Sequence, residues 1–137
     1  VEAGENFRIL LDRFLADINV KPTLLLLEVP RYPFFPKKEL VMDWANLKLR
    51  PLPRKTTAEH SREQKETRGM IQAIAAEYAA VHLADPAEIL CADGTCVWHI
   101  GWELLYKDDD HLSVYGSERL APIFKKFFVD AGGQRSP

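Results

Sequence analysis

Apolar side chains recur at Phe7, Leu10, Leu11, Phe14, Leu15 and Ile18, three and four residues apart, which predicts a helix over 6–18 with one buried stripe. After Asn19 and Pro22 the stretch Thr23 to Val29 is a short, nearly continuous apolar run, the pattern of a parallel strand covered on both faces. Pro30 stops it. Pro30, Pro33, Pro36, Pro51 and Pro53 then punctuate a segment that also holds Tyr32, Phe34, Phe35 and Trp44. This predicts a long irregular connection with a short helical turn near Glu39 to Trp44.

Polar residues from Thr57 to Arg68 lead into Met70, Ile71, Ile74, Ala75 and Tyr78, predicting a long helix that enters from solvent and buries its second half. Ala80 to Ala84 reads as a short strand. Ile89 to Tyr106 reads as a cysteine-bearing hairpin followed by a strand through Trp98, Ile100, Trp102 and Leu104, with Gly101 at a bulge and both tryptophans on one side, in or at the edge of the core. Leu120, Ile123, Phe124, Phe127 and Phe128 share a face of a last helix from about Ser117 to Val129, with Pro122 in its early turns.

Helix, strand, helix, strand, helix is the order of an α/β domain with parallel strands and right-handed crossovers. Two main strands make a thin sheet, so further strands are expected upstream of Val1, in keeping with a start that lacks an initiator methionine. The chain divides into a domain over residues 1–131 and a polar tail over 132–137. No repeat or low-complexity segment interrupts it.

Composition narrows the function classes. With 137 residues, 47% of them apolar, the chain can fill the core of one domain. Its 18 basic and 20 acidic residues nearly cancel, and no run gathers like charges, so nucleic acid is not an expected partner. Apolar runs such as Leu24 to Leu27 fall far short of the roughly 20 residues that span a bilayer. This segment is expected to be soluble by itself, and any membrane address must come from elsewhere.

The two cysteines, Cys91 and Cys96, enclose Ala-Asp-Gly-Thr. Asp93-Gly94 suits a two-residue hairpin turn with positive φ, which would set the cysteines opposite each other at a separation that a disulfide can bridge. A disulfide and an oxidising compartment are favoured over two free thiols, or over a zinc site using Cys91, Cys96 and His99. His60 is expected to be a solvated helix residue, and His82 and His99 structural residues on strands. Arg62, Lys65 and Arg68 form a helix face expected to be solvated.

The candidate chemistry lies in Tyr106-Lys107-Asp108-Asp109-Asp110-His111-Leu112-Ser113, between a strand and the last helix, where open α/β sheets carry their sites. A histidine can accept and return a proton near neutral pH. A carboxylate three residues earlier can turn back to accept Nδ1–H, which fixes the tautomer and leaves Nε2 for a hydroxyl. Asp108 has that offset; Asp109 and Asp110 are expected to point elsewhere. Ser113 is expected to be a helix-cap or loop-fixing hydroxyl, because two residues leave little freedom to align it with Nε2. Tyr32 and Phe34, just past the first strand, are candidate substrate-binding residues for an acceptor sugar, against the alternative that they anchor the loop to the core.

The ordered set Leu-Leu-Leu-Leu-Glu-Val-Pro, Asp-Pro-Ala-Glu-Ile-Leu-Cys, Cys96 and Leu-Tyr-Lys-Asp-Asp-Asp-His-Leu-Ser-Val-Tyr-Gly resembles the C-terminal part of the SGNH hydrolase-like domain. The form it resembles is the one fused behind the integral-membrane acyltransferase-3 domain of bacterial cell-surface polysaccharide and lipopolysaccharide O-acyltransferases. The likeness spans roughly residues 5 to 130, with its most specific part from Asp85 to Gly116.

This resemblance implies an incomplete three-layer, flavodoxin-like α/β domain, with Asp108 as triad acid and His111 as triad base. It supports the Cys91–Cys96 disulfide. It also implies an extracytoplasmic, periplasmic location, with tethering through an N-terminal membrane acyltransferase domain of the same protein. The partners are then an acyl donor and a carbohydrate acceptor, with no metal or organic cofactor. The nucleophile of that family is a serine in a Gly-Asp-Ser turn, which does not occur here: the serines are Ser61, Ser113, Ser117 and Ser136. The expected function is part of a serine acyltransferase moving an acyl group, expected to be acetyl, to a cell-surface sugar. The alternatives are a carbohydrate esterase, or a non-catalytic glycan-binding or structural remnant.

Overall fold

The computed structural model describes residues 2–39, 41 and 54–133. Helix α1 (Glu2–Ile18) leads into strand β1 (Thr23–Leu26). After a helical turn at 36–39 come β2 (Lys55–Thr56) and α2 (Thr57–Ala75). Strand β3 (Val81–Ala84), the short helix α3 (Ala87–Leu90), and strands β4 (Thr95–Cys96), β5 (His99–Ile100) and β6 (Glu103–Leu104) follow. Helices α4 (Val114–Arg119) and α5 (Ala121–Gly133) close the described chain. Of the helical turn expected near Glu39 to Trp44, everything but residues 39 and 41 lies outside the described residues.

Strands β1 and β3 pair in parallel, from Thr23 opposite Val81 to Leu26 opposite Ala84. Helix α2 lies in the crossover between them, as parallel pairing requires. Its start is fixed by a capping box. Thr56 Oγ1 accepts the Glu59 N–H at 3.1 Å, and the Glu59 carboxylate accepts the Thr56 N–H at 2.7 Å, so two otherwise orphaned donors are satisfied. The α/β class with parallel strands thus agrees with the expectation from the sequence.

Several expectations about faces are corrected. Helix α1 buries Leu15 completely, while Phe7, Leu10 and Phe14 are exposed, because α1 packs against α2 along only one side of its broad apolar stripe. Strand β1 is half-buried rather than covered on both faces, and Leu26 is exposed. The expected cysteine hairpin is not formed. Ile89 and Leu90 belong to α3, and β4 instead pairs antiparallel with β2 through Lys55 opposite Cys96.

The Asp93-Gly94 turn is present with Gly94 at φ 78°, and Cys91 is joined to Cys96 with Cα atoms 3.9 Å apart. Both sulfurs are therefore engaged, which removes the zinc alternative with His99. Gly101, at φ 58°, serves a tight hairpin between β5 and β6 rather than a bulge. That turn separates the two tryptophans: Trp98 is buried, whereas Trp102 is 73% exposed at the tip.

The expected last helix is two. Leu120 ends α4, and Ala121-Pro122 opens α5, where the missing proline N–H has no helical partner to lose. The main core cluster contains Leu90, the disulfide, Trp98, Leu105, Tyr106 and Leu120, with Leu112 packed against it, so it holds both ends of the loop that carries the candidate chemistry. No helix among the described residues is long and apolar enough to cross a membrane.

Candidate active site

The loop from Lys107 to His111 is closed at its base by an antiparallel bridge between Tyr106 and Leu112. The Lys107 N–H donates to the His111 carbonyl at 2.8 Å, and the Ser113 N–H to the Leu105 carbonyl at 2.9 Å. Ser113 then caps α4: its Oγ accepts the Gly116 N–H at 3.0 Å and donates to the Leu104 carbonyl at 2.7 Å. The expected cap role is met, and the hydroxyl is committed on both sides. Gly116 is required at this junction, because a Cβ there would lie 2.0 Å from the Leu105 carbonyl oxygen.

Inside the closed loop, Asp108 turns back on the residues that follow it. Its Oδ1 accepts the backbone N–H groups of His111 at 2.7 Å and Asp110 at 3.2 Å. The His111 Nδ1 lies 3.0 Å from Asp108 Oδ1 and 3.1 Å from Oδ2. Partial desolvation pushes the Asp108 carboxyl up, but the two backbone N–H donors together with the hydrogen bond and charge of the His111 ring outweigh it and hold the group down to about 2. At neutral pH Asp108 is a carboxylate with no proton to give, so the hydrogen it shares with Nδ1 belongs to the imidazole. A neutral ring then carries its basic lone pair on Nε2. The imidazole side chain is 69% exposed.

Asp109 and Asp110 were expected to point elsewhere. Asp109 uses its carbonyl to accept the Tyr32 N–H at 2.9 Å. Asp110 departs from the expectation: its Oδ1 lies 2.8 Å from His111 Nδ1, and its Oδ2 lies 3.3 Å from an Arg31 guanidinium nitrogen. One oxygen each from Asp108 and Asp110, with a His111 nitrogen, lie within 4.8 Å of one another and form a grouping that could hold a cation. Hydrogen-bond distances between Nδ1 and the carboxylates account for the same grouping without one.

The segment after β1 is the other half of the site. The Lys55 ammonium, nearly buried, donates to the Arg31 carbonyl and to the Glu63 carboxylate, and sits 5.8 Å from the centre of the Tyr32 ring. Tyr32 is 2% exposed, with its ring edge-on to Tyr106 at 5.1 Å, and Phe34 packs edge-on to Trp98 at 5.5 Å. Burial pushes the Tyr32 hydroxyl well up. These rings anchor the segment to the core, and the enclosed Tyr32 ring offers no face to a sugar in this arrangement.

Sequence reasoning missed Arg31 and Lys55. Their one local signal is that Arg31 follows the C-terminal end of a parallel strand, where α/β sites gather. Beside the loop lies a broad open groove of about 860 Å³, lined by Lys37, Leu104, Lys107, Leu112, Val114 and Ser117 among others. Asp108 and His111 stand outside its lining. Ser61 is exposed on α2, and Ser136 lies outside the described residues.

An imidazole hydrogen-bonded through Nδ1 to a carboxylate is therefore assembled, a geometry chemically able to accept a proton from a hydroxyl brought to Nε2. A family model described as SGNH domain (fused to AT3 domains) matches residues 3–126 of the chain. No curated protein and no solved structure matches it.

Proposed function

Because the chain belongs to the family of SGNH domains fused to AT3 domains, we propose that it supplies the acid and base of a serine acyl-transfer site, with the serine contributed by polypeptide outside these 137 residues. The observation that carries the reading is the pair of Asp108 oxygens at 3.0 and 3.1 Å from His111 Nδ1. In this reading Nε2 takes the hydroxyl proton as serine Oγ attacks the acyl carbonyl of the donor. The proton then passes to the leaving group, and an acyl-serine remains. In the second half a sugar hydroxyl gives its proton to Nε2, attacks the acyl-serine, and carries the acyl group away as the serine regains its hydrogen. Asp108 holds the ring in the useful tautomer and stabilises the transient imidazolium.

The hydrolase or acyltransferase class follows from the family. The proposal adds an acetyl or similar small acyl group, a cell-surface polysaccharide or lipopolysaccharide acceptor, and a periplasmic position beside a membrane acyltransferase domain of the same protein. The enclosed disulfide fits an oxidising compartment.

The test is turnover of the full-length enzyme. His111→Ala should lower it by several orders of magnitude, and Asp108→Asn by up to about 10⁴-fold, the cost of the wrong tautomer. Near-normal turnover in His111→Ala would remove the base from the mechanism and leave the chain a binding or structural role.

A further inference from the structure

His111 Nδ1 faces two carboxylates rather than one. Asp108 offers oxygens at 3.0 and 3.1 Å, and Asp110 offers one at 2.8 Å. A neutral imidazole has a single Nδ1 hydrogen, so it cannot satisfy both as a donor. The Asp110 carboxylate therefore competes with Asp108 for that one hydrogen. Something must offset the second carboxylate. Among the described residues, the positive charge paired with it is Arg31, whose guanidinium lies 3.3 Å from Asp110 Oδ2.

Arg31 is itself placed from several sides. Its carbonyl accepts from the Lys55 ammonium, which Glu63 holds from α2. The next residue's N–H is bonded to the Asp109 carbonyl, and the Arg31 Nε lies 3.8 Å from Glu28. The segment that bears it is thus fixed to the loop by backbone as well as side chain. Among the described residues, the charged groups paired at the ring are Asp108 and Asp110 from its own loop and, through Asp110, Arg31 from the segment after β1, with Glu28 behind it.

We infer that Arg31 is a positioning residue for His111: by pairing with Asp110 it engages the second carboxylate, so that the Nδ1 hydrogen is left to Asp108 and the ring is held with Nε2 facing outward from that pair. This rests on the reading of His111 as the base. It assigns the two aspartates different tasks, Asp108 as orienting partner and Asp110 as the anchor through which a distant segment tunes the ring.

The experiment is an NMR titration of the His111 ring in the 137-residue chain. Arg31→Gln should raise the titration midpoint by about 0.3 to 0.5 pH unit, the size suited to a partly exposed charge pair, and Arg31→Lys should restore most of it. In an Asp110→Asn background the shift on adding Arg31→Gln should vanish. No shift in Arg31→Gln, or the same shift with and without Asp110, would overturn the inference. Failure of the base reading shows separately, as retained turnover in full-length His111→Ala, whatever the titration gives.

Discussion

His60 sits on α2 with its ring fully enclosed, and neither ring nitrogen is hydrogen-bonded. Burial lowers its proton affinity, the Arg68 and Lys55 charges add to that, and Asp85 and Glu63 oppose it. A base held below its unfolded value binds fewer protons in the fold than in the unfolded chain. Its share of stability is therefore whole above the unfolded value, near pH 6.5, and is lost as pH falls toward the lowered folded value. Urea unfolding should show the chain weakening progressively below about pH 6.5, and His60→Leu, which removes the titration, should flatten that slope. An unchanged slope in the variant would assign the acid sensitivity to other groups.

The contrast with His111 explains what was legible at this scale. Asp108 and His111 are three residues apart, so local geometry alone brings them together. His60 falls in a stretch of mostly polar residues, yet it is buried where the charges of Arg68, Asp85, Lys55 and Glu63 act on it, a placement that no helical period encodes.

Elements with a strong period were readable: α1, α2 and β3 lie close to where the pattern puts them. The region from 87 to 106 was not, because its strands are only two residues long and too short to express an alternation. There, turn chemistry and pairing partners decide the path. The disulfide was foreseen from a hairpin that does not form, while Gly94 does adopt the positive φ that its turn needs. Helix α4 owes its place to Gly116, whose missing side chain lets the helix touch the backbone at Leu105. Gly116→Ala should cost about 1–3 kcal/mol through overpacking, read as a lower urea midpoint. Gly69→Ala on α2, with open space around the added methyl, should instead stabilise by about 0.5–1 kcal/mol.

Across the whole molecule, the parallel pairing of β1 with β3 and the paired loop ends bring residues 31 and 110 into contact. The class of fold was legible because helix and strand patterns alternate. The second half of the site was not, since Arg31 has no motif around it and acquires its role only once the chain has closed. The Cys91–Cys96 bridge ties α3 to β4 beneath that assembly. By the chain-entropy argument, a loop this short contributes about 2 kcal/mol. Thermal melting with and without a reductant should show a loss of that order, and equal melting would mean that packing alone holds the corner.

The same bridge has a consequence for biogenesis. Its cysteines are five positions apart, so their encounter needs no long-range search; loops of this scale close in about 10–100 ns. Oxidation chemistry rather than chain diffusion then sets when the bridge forms. During synthesis it can be in place before α4 and α5 exist, giving Trp98, Leu105 and Tyr106 a finished corner to pack against as they emerge.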